Sequence, residues 1–530
     1  RHLNLVDGAN GSLLIDDTNS ATPASTHAAL DLLAAIPLHG GRRIFVMGDI
    51  SAPGEPPTPA YQEIGRRAAQ IVDLFVTRGA MASIAGLVAR EAGMPSQQVQ
   101  LTYSHNDAIR CVRNYAQQGD VVLLKGNAQA HLAHVADQLC AFPVSEPPAA
   151  HRVSTPSQVH TLHPSWIEID LDATAHNVRA VKQRVGPDIA IMAVVKANAY
   201  GHGAVPISVT ALYNGAEMLG VGSLDEALEL RRAGIDAPIL IMGHTPGWAA
   251  AQAILHNLII TVYDEEVARA LNQAAHELKR PLKVHVKVDT GLGRLGLPPS
   301  RVAAFVRALK HMDNLELDGM FTVFAAADNL IEMVYTREQL SKFHRVLDSI
   351  RAAGISPRYI HAANSAALLS LPDSHFNMVR LGLIMHGLHP SPDIPCPPDL
   401  RRTLTWKTTI IQLRDLPTGS FLGFSKTYQT QQEERIAVIP VGYASGFRCA
   451  PRHWGEVLVQ GQRAPVVGRV GMDQTMISVS HITNVSIGDE VVLIGRQGHD
   501  EITVEDIARR LETLNYEVTT SIPTQIPRLI

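Results

Sequence analysis

The chain has 530 residues, of which 46% are hydrophobic and 18% are charged, and its formal net charge is −4. A chain of this length exceeds what one hydrophobic core can hold, so we expect about three domains. The small negative charge gives no electrostatic basis for binding nucleic acid or an anionic membrane surface.

Targeting and redox features are sparse in this sequence. No apolar run reaches the ~18 residues of a membrane-spanning helix, and no secretory signal opens the chain. The four cysteines are far apart and form no CxxC motif, which predicts no metal site and no disulfide framework and favours a cytoplasmic location. Because the chain begins at Arg1 rather than at a methionine, the possibility of an export signal or a further domain upstream stays open.

Strands and helices alternate in residues 1–142, the first predicted domain. The predicted strands are residues 12–17, 43–48, 74–77, 99–103 and 120–124, and the predicted helices are residues 27–36, 61–72, 80–92 and 106–117. This alternation predicts a small parallel sheet of the doubly wound, Rossmann-like class.

Four motifs in this domain carry a resemblance. IDDTNSATP, VMGDI, QEIG and GDVVLLKGN are similar to the C-terminal domain of a Mur ligase, most nearly the enzyme that adds D-alanyl-D-alanine to the peptidoglycan precursor. Asn19 and Ser20 depart from that pattern, and no GxxxxGK[ST] phosphate loop occurs in the chain. Two interpretations stay open: half of a ligase, with Asp16, Asp17 and Lys125 touching substrate, or a degenerate domain kept for packing or partner contact.

A proline-rich stretch, residues 143–164, follows the first domain. It has no hydrophobic periodicity, which predicts a semi-extended linker. Its histidines, His151, His160 and His163, lack the spacing of metal ligands, so we expect them to be solvated.

Residues 165–400 contain eight apolar segments separated by predicted helices. The segments are residues 190–195, 218–221, 238–242, 258–262, 284–288, 317–322, 358–361 and 377–380. Eight such repeats predict a (β/α)₈ barrel, whose chemistry lies at the C-terminal ends of the strands. Ser223 and Glu226 also predict a capping box at the start of one helix.

The first barrel segment ends in a lysine. Lys196 follows an apolar run and precedes a turn of small residues that contains Tyr200, Gly201 and Gly203. An amine in this position can form a Schiff base with a carbonyl-bearing cofactor, and the turn can approach a phosphate. An ordinary surface lysine after a strand is the alternative.

The strings AVVKANAYGHG, KVDTGLGRLG, HAANSAA and VRLGL resemble alanine racemase, a barrel enzyme that uses pyridoxal phosphate (PLP). The resemblance implies that Lys196 carries PLP and that Arg294 steadies the cofactor phenolate and the substrate carboxylate. It implies a phosphate-binding group made of Tyr200, Ser365, Tyr516 and the backbone amides of Gly382 and Leu383.

The resemblance also implies roles for two further basic residues, of which Arg380 bears on the reaction class. Lys287 corresponds to a lysine that is often carbamylated, and an ordinary ion pair is the alternative. Arg380 would face the pyridine nitrogen of PLP. Because arginine keeps its proton, that nitrogen would stay unprotonated, which favours racemisation over decarboxylation. Val323, Leu381 and His386 depart from the pattern of the family.

Short alternating strands and turns fill residues 401–530 and predict an antiparallel β domain. In this domain Tyr443 resembles the second catalytic base, and Met472 and Asp473 resemble a loop that receives the substrate carboxylate. Ser445 stands where the family has aspartate. Racemisation needs two bases on opposite faces of Cα, and Lys196 and Tyr443 are chemically suitable. In the family the tyrosine and this loop come from the other subunit, so a homodimer is implied.

The sequence therefore predicts an alanine racemase without a metal, fused behind a Mur-ligase-like domain and supplying D-alanine for peptidoglycan. Three alternatives stay open. They are a racemase of another small amino acid such as serine, a non-catalytic PLP-binding scaffold of cell-wall synthesis, and a bifunctional ligase–racemase that needs sequence upstream of Arg1.

Overall fold

The computed structural model of this protein describes residues 3–38, 40–51, 58–141, 163–394, 396–450 and 452–530. The chain divides into two compact units, Arg1–His160 together with Ile530, and Thr161–Leu529. Most of the predicted linker, including His151 and His160, lies outside the described residues.

The first unit is built on a six-stranded sheet. Its strands in sheet order are Asn4–Asp7, Leu13–Asp17, Val121–Lys125, Arg43–Met47, Leu74–Arg78 and Val99–Thr102. Its α-helices are Pro23–Ala35, Thr58–Ile71, Ala80–Glu91, His105–Tyr115 and Leu132–Leu139. Five strands are parallel, which confirms the predicted sheet, and the edge strand Asn4–Asp7, which was not predicted, runs antiparallel.

Two residues suspected of touching substrate in this unit form a buried ion pair. The sheet register places Asp17 directly opposite Lys125 on neighbouring strands. Lys125 Nζ donates to Asp17 Oδ2 at 2.7 Å and to the backbone oxygen of Ser20 at 2.7 Å. Burying a charge requires such partners, so the pair has a structural role in the described fold.

The second unit contains a closed barrel of eight parallel strands, as predicted. The strands are Ala190–Val194, Met218–Val221, Ile239–Ile241, Ile259–Val262, Leu282–Lys287, Leu315–Phe321, Tyr359–His361 and Met378–Leu381. The α-helices of this part are Leu171–Val185, Ala204–Tyr213, Leu224–Arg232, Ala250–Leu255, Glu265–Leu278, Pro299–Leu309, Met333–Ala352 and Ser365–Ser370. The eighth strand pairs with the first and so closes the barrel.

Apolar side chains fill one layer of the barrel interior. This layer contains Ala190, Met192, Met218, Leu240, Ile259 and Met378. Flexible methionine side chains suit an irregular interior. Strand Leu282–Lys287 also contributes polar side chains to the interior, because every second residue, 283, 285 and 287, lies on the same face of that strand.

The β domain of the second unit forms a ten-stranded, mostly antiparallel sheet. Its strands are Ser165–Ile169, Leu404–Thr409, Gln412–Leu416, Glu434–Ile439, Glu456–Val459, Gln462–Val467, Thr475–Ser478, Glu490–Gln497, Asp500–Ile502 and Arg528–Leu529, with a separate pair Phe421–Leu422 and Tyr428–Gln429. Its α-helices are Val504–Leu511 and Asn515–Thr520. Strand Ser165–Ile169 lies within the limits 165–400 predicted for the barrel, but it pairs with Leu404–Thr409 of the β domain.

Helix Asn515–Thr520 packs against the turn that follows the first barrel strand. Gly201 in that turn has φ +85°, and a Cβ atom there would collide with the backbone oxygen of Thr519. Arg528 Nε donates to the backbone oxygen of Gly201 at 3.0 Å. The β domain thus holds the turn that carries the candidate lysine.

Within the described ranges, no helix combines the length and apolar character that crossing a membrane requires.

Substituting Gly201 by alanine should destabilise the second unit more than the same change at Gly354. Both glycines have positive φ, but a Cβ atom at Gly354 meets nothing within 4 Å. Gly354→Ala should therefore cost about 1–2 kcal/mol of backbone strain, whereas Gly201→Ala adds the collision with Thr519. Calorimetric unfolding of both variants measures the difference. Equal transition temperatures would show that the close packing at Gly201 is absent.

Candidate active site

The turn after the first barrel strand carries Lys196 and is left-handed. Residues 197–200 have φ angles between 51° and 56°. This backbone costs a non-glycine residue about 1–2 kcal/mol, so four in succession need compensating contacts. Asn198 supplies one, because its Oδ1 accepts a hydrogen bond of 2.7 Å from the backbone N–H of Ala204.

The capping box predicted at this rim forms only in part. The Ser223 hydroxyl accepts from the backbone N–H of Glu226 at 3.4 Å, as an N-cap does. The Glu226 carboxylate turns elsewhere and accepts two bonds of 2.7 Å, from the backbone N–H groups of Ala197 and Gly222. The prediction of a reciprocal box was wrong, because the left-handed turn presents an N–H that a local pattern does not reveal.

Lys196 lies in the open mouth of the barrel, where its side chain is exposed. Partial burial of the amine lowers the pKa of Lys196, and the positive charges of Arg294 and Arg380 lower it further, against an opposing effect of Glu226. A lowered pKa increases the share of neutral amine, which is the nucleophilic and basic form.

Tyr200, Ser365 and Gly382 meet where strands one, seven and eight end. A Cβ atom at Gly382 would lie 2.7 Å from the Tyr200 phenol oxygen, so glycine is needed for the ring to approach. The N–H of Gly382 donates to Ser365 Oγ at 3.2 Å. Leu383 begins the 3₁₀ helix Leu383–His386, whose first N–H groups have no partner inside the helix. Burial raises the pKa of Tyr200 to about 12, so the phenol stays a donor.

Tyr516 joins this group from the β domain. Its ring meets the Tyr200 ring edge-on, with ring centroids 6.4 Å apart and an angle of 87° between the planes. Because helix Asn515–Thr520 carries Tyr516, the packing of that helix on the Lys196 turn also positions this phenol.

Arg380 is almost fully buried and makes four hydrogen bonds. Nη1 donates to His361 Nδ1 at 2.9 Å and to the His361 oxygen at 3.2 Å, and Nη2 donates to the oxygens of Thr322 at 2.9 Å and Ala362 at 2.7 Å. These bonds use both terminal nitrogens, and none uses Nε, which leaves one N–H for a ligand. Burial lowers the pKa of Arg380 to about 10, so the guanidinium stays charged at neutral pH.

A chain of buried side chains runs from Arg380 through the barrel. His361 Nε2 lies 3.0 Å from His285 Nδ1, and His285 Nε2 lies 3.4 Å from Asp318 Oδ2. Arginine only donates, so His361 Nδ1 must accept and its Nε2 must carry the hydrogen. The same reasoning places a hydrogen on His285 Nε2, directed at Asp318. Burial lowers the pKa of both histidines, which keeps both rings neutral.

The backbone of the sixth strand makes room for this chain. A Cβ atom at Gly319 would lie 2.5 Å from the His285 ring. The strand register also shifts here, so that residue 318 is skipped between Leu317 and Gly319 in the pairing with strand five. The bulge and the glycine together admit an imidazole and a carboxylate to the barrel interior.

Lys287 is buried beside the same site, with Nζ 5.5 Å from the centre of the Phe321 ring. Burial lowers its pKa to about 8, and Arg294 and Arg380 contribute. Among the residues that the structure describes, no carboxylate lies within ion-pair distance of Lys287, so the ordinary ion pair considered from the sequence is not formed.

The expected second base, Tyr443, and the expected carboxylate-binding residues, Met472 and Asp473, share one rim of the β domain. The backbone N–H of Tyr443 donates to the oxygen of Gly471, and the N–H of Ala444 donates to the oxygen of Met472, each at 3.0 Å. These bonds bring Tyr443 next to Met472 and Asp473, and all three side chains are exposed. In the described part of one chain, no hydrogen bond, ion pair or ring contact links them to Lys196.

His386, one of the departures from the family pattern, stacks on His202. The ring centroids are 3.9 Å apart, and both rings are fully buried. Burial keeps the pKa of each histidine low, so the stack is neutral at physiological pH.

Two family models cover the second unit. The model described as "Alanine racemase, N-terminal domain" matches residues 169–390, and "Alanine racemase, C-terminal domain" matches residues 403–530. The chain belongs to the alanine racemase family. This confirms the resemblance read from the lysine, arginine and tyrosine motifs, and the racemase models span both the barrel and the β domain.

Curated relatives support this assignment. The alanine racemase of Desulfovibrio desulfuricans is 44% identical over 366 residues, which are 69% of this chain and 98% of the relative. The alanine racemase of Symbiobacterium thermophilum is 43% identical over 367 residues, with 69% and 97% covered.

Solved alanine racemases have the same fold. The structure from Bacillus anthracis with bound L-Ala-P has a TM-score of 0.64 and 38% identity, covering 69% of this chain and 94% of that one. The structure from Clostridium difficile 630 has a TM-score of 0.66 and 36% identity, covering 69% and 95%.

The first unit matches a different family model. Residues 3–128 match the model described as "Mur ligase, glutamate ligase domain". The predicted fusion of a Mur-ligase domain with a racemase is therefore confirmed.

Glu226, His285 and Asp318 were not predicted as parts of the site. The string KVHVK did contain a signal, since its polar residues alternate with valine and so share the inward face of a barrel strand. Their contacts join separate strands and loops, which motif matching along the chain does not detect.

Asp318→Asn should reduce the acid sensitivity of the racemase unit. Burial raises the pKa of Asp318, but the hydrogen bond from His285 and nearby positive charge outweigh it, and the net shift is downward. The ionised Asp318 carboxylate therefore stabilises the folded state above its unfolded pKa of about 3.9, and this contribution is lost as the pH falls through its folded pKa. In urea unfolding, wild type should be more stable than Asp318→Asn at neutral pH, and the difference in their free energies of unfolding should disappear below about pH 4. A constant difference would contradict this role.

Proposed function

We propose that this chain interconverts L-alanine and D-alanine with PLP, using Lys196 and Tyr443 as the two bases, and that the D-alanine serves peptidoglycan synthesis. The observation that carries the proposal is the convergence of Lys196, Tyr200, Ser365 and Arg380 at adjoining strand ends of one barrel. Membership of the alanine racemase family supports the same reaction.

The residues at this rim fit PLP. The Tyr200 and Ser365 hydroxyls and the amides of Gly382 and Leu383 would hold the phosphate, since they are donors grouped at the end of the barrel. Tyr516 would complete the group, and the unused Nε of Arg380 is a donor for a ring nitrogen. When bound, PLP supplies a carbonyl for amine attachment and an electron-withdrawing ring beside the substrate Cα.

Proton transfer is assigned to two residues of this chain. Lys196, with its lowered pKa, takes the Cα proton on one face as a neutral amine and returns a proton there as the ammonium that results. On the opposite face Tyr443 takes the proton as a phenolate and returns one as a phenol, on the exposed rim where Met472 and Asp473 would receive the substrate carboxylate. Arg294 would hold that carboxylate from the barrel side.

Arg380 favours racemisation over other reactions of amino acids. Its guanidinium stays protonated, and its donor chain through His361 and His285 fixes it in place. It therefore offers a hydrogen bond without giving up a proton, which limits the withdrawal of electrons from Cα. A proton removed at Cα is then best returned at Cα.

A dimer completes the proposed site. Tyr443, Met472 and Asp473 are exposed on one chain and make no described contact with Lys196 of the same chain. We assign them to the site of a second copy in a homodimer. We also propose the domain limits 1–142, 143–164, 165–400 and 401–530, with strand Ser165–Ile169 at the start of the third segment joining the sheet of the fourth.

Lys196→Ala should abolish both PLP absorbance in the visible range and alanine racemisation, because it removes the attachment point and one base. The purified chain is assayed for D-alanine from L-alanine, and for D-serine from L-serine, with and without added PLP. Asp225→Asn, an exposed change on the same rim, serves as the control and should retain both signals. Racemisation by Lys196→Ala at the wild-type rate would refute the assignment.

Mixed dimers test the shared site. Lys196→Ala and Tyr443→Phe should each be inactive as pure proteins. Co-expressed together, random pairing makes half of the dimers mixed, and one of two sites in each mixed dimer has both bases, so about a quarter of wild-type activity should return. No recovery from mixed dimers that have been shown to form would place both bases on one chain.

Carbamylation of Lys287 is the proposed source of a negative charge beside Arg294. Since its pKa is about 8, a neutral fraction exists at neutral pH, grows as the pH rises, and can react with carbon dioxide. ¹³C NMR of the protein in ¹³C-bicarbonate should show a carbamate signal that grows between about pH 7 and 9 and is absent in Lys287→Ala. An identical signal in that variant would exclude Lys287.

A further inference from the structure

We propose that Glu226 is a positioning residue of the racemase, which clamps the left-handed turn and thereby fixes the direction of Lys196. The inference rests on the function proposed above and adds to it a residue with no part in the motif match. Its basis is a pair of hydrogen bonds from backbone N–H groups, one from the residue directly after the lysine and one from the end of the neighbouring strand.

Each carboxylate oxygen of Glu226 accepts one backbone N–H. Oε1 accepts from Ala197, the residue directly after Lys196, and Oε2 accepts from Gly222, at the end of the second barrel strand. Both bonds are 2.7 Å, within the range of strong charge-assisted bonds. No other acceptor for the Ala197 N–H is found among the residues that the structure describes.

The Lys196 side chain leaves the backbone beside this clamp. A Cβ atom at Gly222 would lie 3.7 Å from the Cβ atom of Lys196 and 3.3 Å from Glu226 Oε2. The carboxylate therefore links the ends of the first and second strands where the lysine emerges. The tie holds the start of the turn, and the turn ends at Tyr200, whose phenol meets Gly382.

The turn cannot hold this shape by local preference alone. Residues 197–200 all have positive φ, and none of them is glycine. The Asn198 side chain and helix Asn515–Thr520 support its later part. Glu226 supports its first residue, so it acts on the lysine more directly than the other contacts do.

The charge of Glu226 has a second effect on the amine. It opposes the positive charges of Arg294 and Arg380, which lower the pKa of Lys196. Glutamine in its place keeps the shape but can accept only one of the two N–H bonds, because its amide nitrogen is a donor. Glu226→Gln therefore removes one tie and also lowers the pKa of the lysine.

The test compares the full chain with Glu226→Gln, Asp225→Asn and Ser223→Ala. Asp225→Asn removes the same charge from an exposed neighbour, and Ser223→Ala removes the bond to the Glu226 backbone N–H but leaves the Glu226 carboxylate and both of its partners in place. PLP affinity is measured by absorbance titration of PLP-free protein, and the rate of PLP attachment is measured against pH. Hydrogen–deuterium exchange of a peptide covering residues 193–203 is followed without PLP.

Glu226→Gln should weaken PLP binding about tenfold, the result of one charge-assisted bond lost. It should also move the pH profile of attachment to lower pH and speed exchange in residues 193–203, while both controls stay near wild type. Wild-type behaviour of Glu226→Gln in all three measurements would overturn the inference, as would equal changes in the controls. If the wild-type chain itself takes up no PLP, the proposed function fails. Faster exchange in Glu226→Gln would then still report the clamp.

Discussion

The pairing of the first barrel strand with the eighth is the constraint on which the site depends. Its register sets Met192 opposite Arg380 and Ala193 opposite Leu381. Lys196 and Gly382 follow these positions within a few residues, so barrel closure brings two distant segments to one rim. Tyr200 then fits only because Gly382 has no side chain. A parallel barrel fixes this meeting more firmly than surface loops could.

Electrostatics at this rim differ from those of the whole chain. The chain has a formal net charge of −4, yet Lys196, Lys287, Arg294 and Arg380 gather at one mouth. Burial lowers the pKa values of both lysines, and repulsion from the neighbouring positive charges lowers them further. Such a mouth is suited to anions, in this case a phosphate and a substrate carboxylate. Asp318 accepts from His285, and the two neutral histidines connect it to Arg380 and fix the direction of the guanidinium.

The motif residues and the eight strands could be predicted because their signals are local. Apolar runs mark the strands, and short strings mark Lys196, Arg294, Ser365, Arg380 and Tyr443. Contacts between distant segments could not be predicted in the same way. Strand Ser165–Ile169 pairs with Leu404–Thr409, more than 230 residues further along the chain, and so joins the sheet of the β domain. The hydrogen bond from the Ala197 N–H to Glu226 forms only in the folded, left-handed turn, and the His285 ring needs the bulge beside Gly319.

Isotope exchange at Cα tests the two-base account most directly. The PLP-loaded protein is incubated in D₂O with L-alanine and, separately, with D-alanine, and Cα deuteration and chirality are read by NMR and chiral chromatography. Wild type should deuterate and invert both enantiomers. Tyr443→Phe should deuterate only the enantiomer whose proton faces Lys196, and should do so without inverting it. Inversion of both enantiomers by Tyr443→Phe at the wild-type rate would contradict the account, because the second face would then need no tyrosine.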